Sequence, residues 1–111
     1  MQIDESSQAA VTILAPKGAV VGTDASGLAE RFRAAASSAS GRVVIDLAHV
    51  SFVDSLGLET LADLGDEMST LARTLKLAAA NQTLREVLDL TGVGGMCELY
   101  DDVSAAVRSY G

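Results

Sequence analysis

One cysteine in 111 residues, Cys97, leaves no internal disulfide to form and suits a chain working in a reducing cytoplasm. A single proline, against a 49% share of hydrophobic residues, excludes the composition of a disordered segment. No window approaches the ~18 uninterrupted apolar residues of a membrane span, so membrane insertion is not expected. The opening Met-Gln-Ile-Asp-Glu is acidic and lacks the basic start of a secretory signal. Basic residues are also scarce: eight Lys and Arg face fifteen Asp and Glu, a formal charge of −7. Such a surface repels nucleic-acid backbones and anionic lipid headgroups, and a basic protein surface is its natural partner. Repeats, linkers and low-complexity blocks are absent as well, which predicts one domain over residues 1–111, acting as a monomer or weak dimer.

What is present alternates strand and helix signals. Ala9 to Ala15 predicts a strand with Val11 and Ile13 on one face, Pro16-Lys17-Gly18 a turn, and Ala19 to Val21 the hairpin partner. Thr23 or Asp24 can cap a helix carrying Leu28, Phe32 and Ala35 or Ala36, with Gly41 beyond its end. Arg42 to Leu47 is apolar on both faces, the pattern of a central strand covered on both sides. Ala48 to Val53 then leads to a helix from Ser55 to about Ala72. Leu75 to Ala79 predicts a strand, and Asn81 caps a helix with Leu84, Val87, Leu88 and Leu90, closed by Thr91-Gly92. Met96 to Leu99 is a last short strand, before a helix capped by Asp101 or Asp102 that carries Val103, Ala106, Val107 and Tyr110. The order β-β-α-β-α-β-α-β-α implies an α/β fold: a mixed, mostly parallel sheet of about five strands with helices packed on it.

The helix after Asp54 is amphipathic. At about 100° per residue, Gly57, Leu58, Leu61, Leu64, Gly65, Met68, Leu71 and Ala72 share one side, and Glu59, Asp63, Asp66 and Glu67 the other. Leu56 falls with the acids, so the first turn presents Ser55 and a leucine outward. A helix N-terminus favours an anion such as phosphate, although Asp54 and Ser55 can equally serve as nothing more than caps.

Two families offer a reading of this junction. Asp54-Ser55-Leu56 resembles the motif of acyl carrier proteins, whose serine takes a phosphopantetheine arm. Those proteins are all-helical, whereas this motif follows a strand pattern. "VVIDLAHVSFVDSLGLETL" resembles the central block of STAS domains of the bacterial anti-sigma-factor antagonist type, through Asp46-Leu47, Phe52-Val53, Asp54, Ser55, Gly57 and Leu58. "LKLAAANQTLREVLDLTGV" continues the likeness. The resemblance implies a regulatory binding module that docks an anti-sigma factor, itself a serine kinase of the GHKL ATPase type. Phosphorylation at the helix N-terminus breaks that complex, and a phosphatase restores it.

The residues the resemblance assigns to partner binding are Asp54, Ser55, Leu56, Gly57 and Glu59, with Val21 and Asp24 nearby, and the candidate phosphoacceptor is Ser55. The sequence departs from the pattern twice. Leu56 stands where the family's usual acceptor hydroxyl lies, and Val21 stands where many antagonists carry an acid. Phosphorylation at Ser55 and an unswitched role, as a scaffold or a transport-complex subunit, are both open. His49 has no placed carboxylate, Cys97 reads as a small packed residue, and the Gly92, Gly94, Gly95 turn lacks the lysine of a phosphate loop. No catalytic set, metal site or cofactor is expected, and the chain reads as a binding module, not an enzyme.

Overall fold

The computed structural model describes residues 1–38 and 40–111. Its chain opens with β1 (Gln2–Gln8) and β2 (Val11–Val20), an antiparallel hairpin joined at Ala9 and Ala10, both with left-handed backbone (φ 49° and 64°). This corrects the predicted hairpin. Pro16-Lys17-Gly18 is no turn but the middle of β2, and residues 2–8, mostly exposed and so without apolar alternation, form the unforeseen first strand.

Hydrogen bonding explains how a proline is tolerated there. The Thr12 amide donates to Arg42 O and the Gly18 amide to His49 O, so even-numbered amides of β2 point toward this neighbouring edge. That edge is shared by β3 (Val43–Asp46), pairing up to Leu14, and β4 (Val50–Val53), pairing from Gly18. Pro16 falls in the gap between them, where a missing donor leaves no acceptor unmatched.

The remaining strands, β5 (Leu75–Ala78) and β6 (Cys97–Tyr100), extend the sheet in the order β1-β2-β3-β5-β6, while β4 pairs only with β2. All pairings beyond the hairpin are parallel. The sheet is therefore mixed and mostly parallel as expected, with six strands instead of five, because Val50–Val53 is a strand and not merely a lead into the helix. This fold leaves the acyl-carrier resemblance without its all-helical frame.

Four helices complete the architecture: α1 (Asp24–Ala36), α2 (Ser55–Thr70), α3 (Gln82–Thr91) and α4 (Val103–Arg108). The main core joins Leu14, Val43, Ile45, Leu75 and Leu77 of the sheet to Phe32 of α1, Leu61, Leu64 and Met68 of α2, and Leu84 and Leu88 of α3. Each such side chain contributes about 1.5–3 kcal/mol by leaving water. On the other face, Val11, Val44 and Ala78 meet Ala106 of α4. A strand buried on both faces needs the unbroken Val43-Val44-Ile45 run, which is why that stretch lacks alternation.

Three side chains assigned to apolar stripes lie elsewhere. α2 stops at Thr70, followed by Leu71 and a left-handed Ala72 (φ 56°), so both are exposed. Leu90 projects from α3 at 85% exposure. The caps at Asn81 and Asp102 and the left-handed Gly92 match expectation.

Candidate functional site

The junction of β4 and α2 is organised by Asp54. As N-cap it has extended backbone, and its Oδ1 accepts from the Gly57 amide at 2.8 Å. Its Oδ2 accepts from the Gly22 amide at 3.0 Å, and its own amide donates to Val20 O at 3.2 Å. One carboxylate thus ties the start of α2 to the connection between β2 and α1. The amide of Gly57, then that of Gly22, holds this carboxyl below its ordinary value of 3.8, so it is ionised at neutral pH.

Gly57 faces inward. A Cβ placed on it would lie 2.4 Å from Val53 Cγ1 and 2.8 Å from Val20 O. Only glycine allows this close approach, and the approach is to the chain's own sheet. The expectation that Gly57 belongs to a contact surface is corrected accordingly: it seats the helix, and its neighbours form the surface. Leu58 packs against the core beside it.

Ser55 and Leu56 emerge from this base. Both are exposed, Leu56 at 53%. Leu56, Glu59, Thr60 and Asp63 border a shallow depression whose other wall is Gly22, Thr23, Ala25 and Ser26. The structure therefore brings Ser55, Leu56 and Glu59 together at one tip. Val21, between two residues bonded to Asp54, is half-buried beneath it. Asp24 is not part of that group. It lines a separate depression with Met1 and Ile3, its Oδ1 lying 3.5 Å from the Met1 nitrogen.

Phe52 was missed as a surface residue. It is 53% exposed on β4, beside a small apolar hollow of about 140 Å³ lined by Val53, Thr83, Leu84 and Val87. Its pairing with Val53 gave the only hint, since a four-residue strand is too short for alternation to assign faces. The tip thus presents a hydroxyl and the Leu56 side chain above an ionised cap, while Phe52 is exposed on the side of α3. Such a surface suits docking of a protein; the acidic flank of Glu59 and Asp63 favours a basic partner.

Other candidates lie apart. His49 is exposed between β3 and β4, and the Cys97 thiol is pushed up to about 11 by burial. Among the described residues, no helix is long and apolar enough to cross a membrane.

Comparison with known proteins agrees with this frame. Residues 2–106 match the STAS domain. No curated protein matches the chain. A putative anti-sigma factor antagonist from Thermotoga maritima shares the fold at TM-score 0.84 and 20% identity, over 96% of this chain and 92% of that one. An anti-sigma factor antagonist from Mycobacterium paratuberculosis does so at 0.80 and 22%, over 97% and 92%. The STAS domain of a SulP transporter from Vibrio cholerae superposes at 0.69 and 17%, over 86% and 77%. With the matched segment running from β1 into α4, and the same sheet and helices found in these structures, the chain belongs to the STAS domain family.

Proposed function

We propose that the chain is a regulatory binding module of the anti-sigma-factor antagonist type, docking a protein partner through the tip of α2. The observation that carries this is the joint exposure of the adjacent Ser55 and Leu56 at a cap fixed by two amides. The partner suggested by the family resemblance is an anti-sigma factor that is also a GHKL-type serine kinase, with a phosphatase acting in the reverse direction. Ser55 is the phosphoacceptor in this reading. A phosphate there adds about −1.5 to −2 charge, beside Asp54 and the Glu59 and Asp63 carboxylates. A partner shaped for a neutral hydroxyl then meets both desolvation and like-charge repulsion.

Leu56 favours a second version of the same docking, without a switch. An apolar side chain at the usual acceptor position enlarges the contact and offers no hydroxyl. The chain then serves as a permanently docked scaffold or transport-complex subunit, a role consistent with its similarity to a transporter STAS domain.

Mass spectrometry of the protein from its source cell, paired with affinity capture, tests both versions. The switch requires phosphate on Ser55 and loss of an ATPase-type partner from the modified form. An unmodified Ser55 in a stable complex selects the scaffold. Capture that is insensitive to substitution of Leu56 overturns docking at this tip.

A further inference from the structure

Basic residues are outnumbered nearly two to one in this chain, yet three of the eight line one cleft. Arg42 lies just before β3, Arg73 just before β5 and Lys76 within β5, around a space of about 300 Å³ closed by Tyr110. Among the described residues, none that lines it carries a carboxylate. The cleft lies at the far end of α2 from Ser55. Met68, thirteen residues after Ser55 on the same helix, already lines the cleft, a span of about 20 Å at 1.5 Å per residue.

Its three cations differ in their partners. Lys76 is 8% exposed, its ammonium donating to Glu98 and to the Tyr100 hydroxyl. Arg42 and Arg73, by contrast, are exposed and make no ion pair among the described residues. Tyr110 steadies the wall: its hydroxyl donates to Val43 O at 2.7 Å and accepts from the Val43 amide at 3.2 Å. The ring so fixed carries Arg42 at 6.0 Å and Lys76 at 4.8 Å from its centre. Ser40, Gly41, Met68 and Thr74 complete the lining.

We propose that this cleft binds a small ligand carrying a phosphate dianion, with Arg42 and Arg73 as its principal contacts and Ser40 and Thr74 as added donors. Guanidinium forks match phosphate oxygens in pairs, and two of them make no ion pair among the described residues. Size and charge select the ligand class. The volume is at the lower end of small-molecule sites, roughly 300–1,000 Å³. An extended polyanion would meet the surrounding −7 surface, whereas a small anion meets only the cleft.

Titration of the ¹⁵N-labelled protein with inorganic phosphate and with ribose 5-phosphate, at constant ionic strength, tests this. The expected result is saturable shifts at the Gly41, Arg42, Arg73 and Thr74 amides, weakened about tenfold or more by Arg42→Gln and by Arg73→Gln. Both side chains are exposed, so the variants keep the parent spectrum elsewhere. Tighter binding of the ester identifies a phosphorylated small molecule, and tighter binding of the free ion identifies phosphate itself. Shifts that do not saturate, that spread equally to Lys17, Arg31 and Arg33, or that survive both substitutions overturn the site. Tighter binding of a triglutamate peptide than of either probe also overturns it, in favour of an acidic protein segment.

Discussion

Asp54 commits its two carboxylate oxygens to amides from separate parts of the chain. A carboxyl held below its unfolded value adds stability above that value and loses it as pH falls through the lower folded one. Asp54→Ala should therefore lower the melting temperature at pH 7, and the difference from the parent should shrink progressively below 3.8. A difference that stays constant down to pH 2 would show that the ionised cap is not its source. Two leucines five residues apart make a sharper contrast. Leu61→Asp, at a position 2% exposed, buries an unpaired charge and should cost about 4 kcal/mol or more. Leu56→Asp should leave the thermal melt within about 0.5 kcal/mol of the parent while weakening partner capture. The outward turn of Leu56 and the Gly57 half of the cap were legible in the sequence, because both follow from helix period and local chemistry. The Gly22 half was not, since it joins residues thirty-two apart.

At the scale of elements, α2 shows what spacing can and cannot convey. Its buried face was read correctly from Leu61, Leu64, Gly65 and Met68, but its end was not. An alanine, not a glycine, takes the left-handed position after it. Gly57→Ala should destabilise the protein by about 1–3 kcal/mol in chemical denaturation, because the added methyl has no room against β4 and β2. The hairpin misassignment has a related cause. A two-residue turn with positive φ at both positions ordinarily advertises itself through Asn-Gly, and here two alanines hold it. Replacing Ala9 by Asn and Ala10 by Gly should then stabilise the chain by about 1 kcal/mol, relieving the left-handed strain. A lower denaturation midpoint for the pair would mean that the turn takes another shape in solution.

Across the whole molecule, the family and its α/β sheet were legible because the motif, its strand context and the element order coincide over most of the chain. What escaped were features assembled from distant residues: the hollow beside Phe52, and the cleft that gathers Arg42, Arg73 and Lys76 from three points of the chain. One feature of the sheet bears on the proposed docking end. β4 hangs on β2 alone, through the pairs Gly18 with Val50 and Val20 with Val53 and across an irregular register, while β3 is gripped by neighbours on both edges. The tip thus rides on a strand held by a single neighbour through two pairs. Backbone deuterium uptake should run faster at Val50–Val53 and Ser55 than at Val43–Asp46, and a bound companion should slow only the former, trading that looseness for grip.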